Sequence, residues 1–86
     1  MHTRHRRDDA ELHALVVAID RARATALAGR AGAFDAATWQ AQIDRCGRLA
    51  DLIEIFAVAA ARSGVPLPGR YRDELRLYRG LGERAR

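Results

Sequence analysis

Residues 34–64 read FDAATWQAQIDRCGRLADLIEIFAVAAARSG, a stretch of 31 residues without a proline. Phe34-Asp35 is a helix start and Ser63-Gly64 a helix stop, because Asp accepts from free amides at an N-cap and Gly tolerates the left-handed turn past a C-cap. The spacing predicts one helix over 35–63, roughly 42 Å long. A compact domain of this length has a radius of gyration of about 12 Å. So long a helix is expected to outreach its own domain and to need a partner, most simply a second copy of the chain. Phe34 and Trp39 stand at the N′ and N4 positions, where a hydrophobic staple forms.

The apolar residues of this helix follow a four-three series, Trp39, Ile43, Cys46, Ala50, Ile53, Ala57 and Ala60, which is the seam spacing of a coiled coil or bundle. Leu49, Leu52, Phe56 and Ala59 make a second row beside it, and Ile55 and Val58 widen the apolar surface further. Only Asp51, Glu54 and Arg62 keep a narrow polar strip in its second half. A helix apolar on nearly all sides is buried on nearly all sides. We therefore expect self-association through Trp39, Ile43, Leu49, Leu52, Ile53, Phe56, Ala57 and Ala60, with the small residues allowing close approach.

Upstream, Leu12, Leu15, Val16, Ile19, Ala22 and Ala26 recur on one helical face. Asp8 and Glu11 are spaced as a capping box, so a first helix is predicted over about 9–31. The short link after it favours an antiparallel neighbour. Downstream, Val65-Pro66-Leu67-Pro68-Gly69 cannot continue a helix. A third helix is predicted over 70–79, with Tyr71, Leu75 and Tyr78 inward and Leu77 and Leu81 beside them. Gly80 and Gly82 weaken any turn beyond Arg79. The expected fold is all-α: a long antiparallel helical hairpin with a short third helix, forming a dimeric bundle. Residues 1–8 are expected to be a disordered basic arm, 9–79 a single helical domain, and 80–86 a frayed basic tail.

Totals bound the function. A core of 86 residues supplies only about 3–5 kcal/mol of stability, so small domains usually carry a supplement. Cys46 is the only cysteine, which excludes an intramolecular disulfide and fits a reducing compartment. Oligomerisation is the supplement left. All 15 basic residues are arginine, and alanine is abundant; this is the codon habit of a GC-rich genome and points to a bacterial source. Residues 1–7 carry +3, 8–34 carry −1, 35–64 carry −1 and 65–86 carry +3, for a net charge of +4. Basic ends attract nucleic acid, anionic membranes or acidic proteins. The acids at Asp8, Asp9 and Glu11 break any export-signal pattern, and the longest apolar run, Ile55–Ala61, is far short of the roughly 20 residues of a membrane span. A cytoplasmic protein is expected.

No chemistry-bearing constellation stands out. His2 and His5 have no further ligand nearby, and Glu-x-x-His spacing is absent; no metal or cofactor is expected. Cys46 sits in the apolar seam and reads as an inert buried thiol. Asp51 and Glu54 lie one turn apart, with Arg48 three residues before Asp51. An enzyme reading would place an interchain site there; an ordinary solvated strip with an Arg48–Asp51 pair is the simpler account. Arg72, Arg76 and Arg79 share a face of the third helix and, with Arg4, Arg6 and Arg7, could follow phosphates. Arg70–Glu74 and Asp73–Arg76 pairing would partly neutralise that face, and a helix-turn-helix is disfavoured by the length of the second helix. The leading expectation is a non-enzymatic interaction or adaptor protein that self-associates through its second helix and engages a protein partner. The alternative is a nucleic-acid-binding accessory protein using the basic termini and third helix.

Overall fold

Asp35 caps the longest helix as its sequence requires: the residue is extended (φ −104°, ψ 177°), and its Oδ1 accepts from the Thr38 amide at 2.7 Å. The structure, a computed structural model, describes residues 6–29 and 35–84, with side chains over 9–29 and 35–81. It holds three helices, α1 (Arg6–Gly29), α2 (Ala36–Arg62) and α3 (Gly69–Arg84), and no strand among the described residues. Phe34, the other half of the expected staple, lies outside the described residues.

Helix α2 ends in a Schellman turn. Gly64 takes a left-handed φ of 71°. The Val65 amide donates to the Ala60 carbonyl at 2.8 Å, and the Gly64 amide to that of Ala61 at 3.3 Å. These bonds satisfy carbonyls that the helix end would leave orphaned. Val65 and Leu67 then pack against the core, so the proline-stiffened segment covers the bundle rather than looping away.

Two helix bounds differ from expectation. Helix α1 starts at Arg6, so the expected start at Asp8-Asp9 lies inside the helix rather than at its end. Residues 6–8 of the expected disordered arm are therefore helical, while 1–5 lie outside the described residues. Helix α3 continues through Gly80 to Arg84. Leu81, in this extension, is half-buried and lines the crevice between α1 and α3.

The core is intramolecular. Ile19, Leu49 and Ile53 are fully buried, surrounded by Leu12, Phe56, Ala59, Ala60 and Tyr71. Phe56 and Tyr71 meet edge to face with ring centroids 5.1 Å apart. Along α2, Gln42 bonds to Ala26 near the end of α1, and Glu11 near the start of α1 shares a groove with Glu54, Ile55 and Arg62. Helix α1 thus accompanies α2 over most of its length. Helices α1 and α3 and the 65–68 segment cover the inner rows of α2.

Both α1 and α3 pack on α2, yet among the described residues no Cα of α1 comes within 8 Å of one in α3. In a closed three-helix bundle every pair touches, since packed axes lie 8–10 Å apart. The molecule is instead an elongated slab of 52 × 21 × 16 Å with a radius of gyration of 14.8 Å.

Candidate interaction surfaces

Because α1 and α3 stand apart, a crevice opens between them over the first half of α2. Its volume is about 310 Å³, and it is lined by Ala26 and Leu27 of α1, Trp39, Gln42, Ile43 and Cys46 of α2, and Leu77, Tyr78 and Leu81 of α3. Leu27, Trp39 and Leu77 are among the most exposed large apolar side chains of the protein, at 51%, 48% and 56%. Three such residues around one crevice are unusual, since single exposed apolar residues are ordinary but contiguous ones mark contact surfaces.

Gln42, in the crevice lining, is itself buried and spent. Its Nε2 donates to the Ala26 carbonyl at 2.8 Å and lies 3.9 Å from the Cys46 sulfur, while its Oε1 accepts from Arg45 at 3.2 Å. No buried side-chain nitrogen or oxygen among the described residues lacks a partner. The lining that faces an occupant of the crevice is mostly apolar.

Deeper between α1 and α3, the gap is bridged by charge. Arg23 donates through Nε and Nη2 to the two carboxylate oxygens of Glu74, at 2.9 and 2.6 Å, and through Nη1 to Asp20 at 2.8 Å. Its guanidinium carbon lies 5.9 Å from the Tyr71 ring centroid. Arg23 and Glu74 side chains are only 11% and 14% exposed. The Glu74 hydrogen bonds hold the Arg23 guanidinium further above its ordinary range despite its burial. Burial, reinforced by the Asp20 charge, pushes the Tyr71 phenol up. At Asp35 the amide of Thr38 holds the carboxyl below its usual range.

The sequence-predicted contact residues divide. Trp39 and Ile43 do line the crevice. Leu49, Ile53, Phe56 and Ala60 lie in the chain's own core, and Leu52 and Ala57 are half-buried, Leu52 against that core. The four buried residues are covered within the chain itself, while Leu52 and Ala57 keep part of their surface exposed. Leu27, Leu77 and Leu81 line the crevice beside Trp39 and Ile43. Leu27 sits on the flank of its stripe and Leu77 and Leu81 beside the inner row of α3, so helical spacing alone did not mark them as a group.

The basic residues divide as well. Arg79 is held by Asp51 at 2.7 Å and by Glu54 at 2.8 Å, which removes it from the expected phosphate-following face and replaces the expected Arg48–Asp51 pair. Those two hydrogen-bonded carboxylates push its guanidinium further up. Arg70 pairs with Glu74 at 3.7 Å. Arg72 and Arg76 remain on the exposed face of α3; Arg6 and Arg7 fall in the first turn of α1, and Arg4 lies outside the described residues, as do His2 and His5. The Asp51–Glu54 strip of the enzyme reading is thus an exposed ion-pair cluster with α3.

A second groove, of about 440 Å³, runs along the other side of α1, lined by Ala18, Arg21, Ala22, Thr25, Arg45, Arg48 and Leu52. No acid lines it. Among the described residues no three histidines, cysteines or acids are grouped to hold a metal ion, and no helix is long and apolar enough to cross a membrane. No family model matches the chain, and no significant similarity to a curated protein or a solved structure is found.

Proposed function

We propose that the chain is a non-enzymatic helical interaction protein that self-associates through the α1–α3 crevice and, as a dimer, engages a protein partner. On this reading α1 and α2 form an antiparallel hairpin, α3 lies against α2, and the three helices occupy three corners of a four-helix arrangement whose fourth corner is filled from outside. The observation that carries it is the placing of Leu27, Trp39 and Leu77 around one crevice between two helices that stand apart.

The area supports a second copy as the occupant. A compact monomer of 9.5 kDa exposes about 5,000 Å², whereas this chain exposes 6280 Å². The excess belongs to the whole elongated surface, on which the roughly 800 Å² each partner contributes to a standard interface has room. With the same crevice on both copies, a two-fold arrangement lets the Leu77 ridge of each α3 enter the crevice of the other, closing the assembly.

Light scattering on a size-exclusion column at tens of micromolar tests this. A dimer is expected for the parent and a monomer for Leu27→Glu/Leu77→Glu, with helix content by circular dichroism unchanged. Trp39 is the only tryptophan, so its emission should shift to the red in the same variant. A monomeric parent would sink the reading. The nucleic-acid alternative retains Arg72 and Arg76 on α3, but Arg79 is committed to two acids, which leaves that face weaker than its sequence suggests.

A further inference from the structure

Each arginine of the α1–α2 groove has an acid close by in sequence, and each of those acids is bound elsewhere. Asp20, next to Arg21, is bonded to Arg23. Asp44, next to Arg45, accepts from Gln40 at 2.9 Å. Asp51, three residues after Arg48, is taken by Arg79. Arg21, Arg45 and Arg48 therefore line one groove with no carboxylate among its lining residues, and the Arg45 guanidinium bonds to the Gln42 amide oxygen rather than to an acid. Ala18, Ala22 and Leu52 supply the apolar part of the same lining.

We propose that this groove is the docking site for the protein partner, and that the partner presents an acidic amphipathic helix: carboxylates to Arg21, Arg45 and Arg48, and an apolar side chain to the apolar lining around Leu52. Charge complementarity chooses the occupant. Guanidinium forks bind carboxylates and phosphates alike, often with two parallel bonds. The apolar part of the lining separates the two, because a phosphate chain has no apolar group to cover Ala22 and Leu52, whereas an amphipathic helix does. The span also suits a short segment: Ala18 to Thr25 rises about 10 Å, roughly two helical turns. The proposal rests on the interaction-protein reading, but it uses the opposite side of α1 from the crevice, so dimer and partner can be bound together.

The test uses the full chain and a fluorescein-labelled synthetic helical peptide with leucines at i, i+3 and i+7 and glutamates elsewhere, read by anisotropy across a salt series. A labelled DNA duplex is the second probe. The peptide is expected to bind, and Arg45→Gln/Arg48→Gln is expected to weaken it about tenfold, as loss of two partly exposed charge pairs should. Arg72→Gln/Arg76→Gln should leave peptide binding unchanged. Equal binding by parent and Arg45→Gln/Arg48→Gln overturns the proposal, and so does binding of the duplex alone through Arg45 and Arg48. The Leu27→Glu/Leu77→Glu variant separates the two ideas. Loss of dimer with peptide binding retained keeps the groove and identifies the crevice as the dimer face. A monomeric parent that still binds peptide through Arg45 and Arg48 removes the crevice reading alone.

Discussion

Arg23 and Glu74, 51 residues apart in the chain, close a two-bond ion pair across the gap between α1 and α3. It joins two helices whose backbones do not meet, in surroundings that shield both charges from water. Removing one partner leaves the other buried and only partly compensated, by Asp20 for Arg23 and by Arg70 for Glu74.

Glu74→Ala should therefore destabilise the protein by about 2–3 kcal/mol, toward the low side for a broken buried pair because Asp20 stays with Arg23. Arg79→Ala, whose partners are half exposed or more, should cost less than about 1 kcal/mol. Urea unfolding of both variants checks the ordering. Equal losses would show that burial does not set the strength of these clamps.

Gly29 closes α1 against the Gln42 network. A Cβ there would collide with Gln42 Oε1 and with the Arg45 guanidinium. Alanine normally gains up to about 1 kcal/mol over glycine within a helix. Here displacing Gln42 would forfeit a buried hydrogen bond, at about 1–3 kcal/mol. Gly29→Ala should lower stability in the parent and raise it in a Gln42→Ala background, a sign change that a double-mutant cycle by thermal melts would read directly.

Gly47 and Gly64 should respond in opposite directions. A Cβ at Gly47, in the middle of α2, meets nothing within 4 Å, so Gly47→Ala should stabilise by about 0.5–1 kcal/mol. Gly64 holds φ at 71°, and Gly64→Ala should cost about 1–2 kcal/mol. For a chain of this size each kilocalorie is roughly 4–8 °C in the melting midpoint.

Tyr71 gives an alkaline limit. Its phenol is raised in the folded chain, so below the ordinary value of 10.0 both folded and unfolded forms are neutral and the stability is fully present. As pH rises past 10.0 the unfolded chain ionises first and stability falls, until the folded phenol titrates too. Melts from about pH 9 to about pH 11 should show the decline in the parent, and Tyr71→Phe should reduce it while keeping the ring against Phe56.

Much of the helix architecture was legible because its signals are local. Asp35, the Ser63-Gly64 stop and the two prolines act within a few residues of themselves, and they fix α2 and the segment after it. What covers each helix is not local. Leu49 and Phe56 read as partner-seeking because periodicity identifies an apolar face without saying which element meets it. Segment charges misled in the same way: residues 35–64 sum to −1, yet Arg45 and Arg48 stand without acids because Asp51 is drawn to Arg79 from another helix. Gln42, beside the seam, carries no local sign of its burial, because the acceptor that makes burial tolerable is the Ala26 carbonyl on another helix.

Two helices that share a floor but no wall also give the molecule an uneven resistance to opening. Helix α3 is tied by side chains and by its contact with α2, so it can lift away while α1 and α2 remain paired. Amide protons of α3 should then exchange with solvent through this partial opening, well before those around Leu49 and Ile53, which wait for the whole chain to unfold. A dimer closed over the crevice would press α3 down, and the slowing of its exchange with rising protein concentration would register assembly residue by residue.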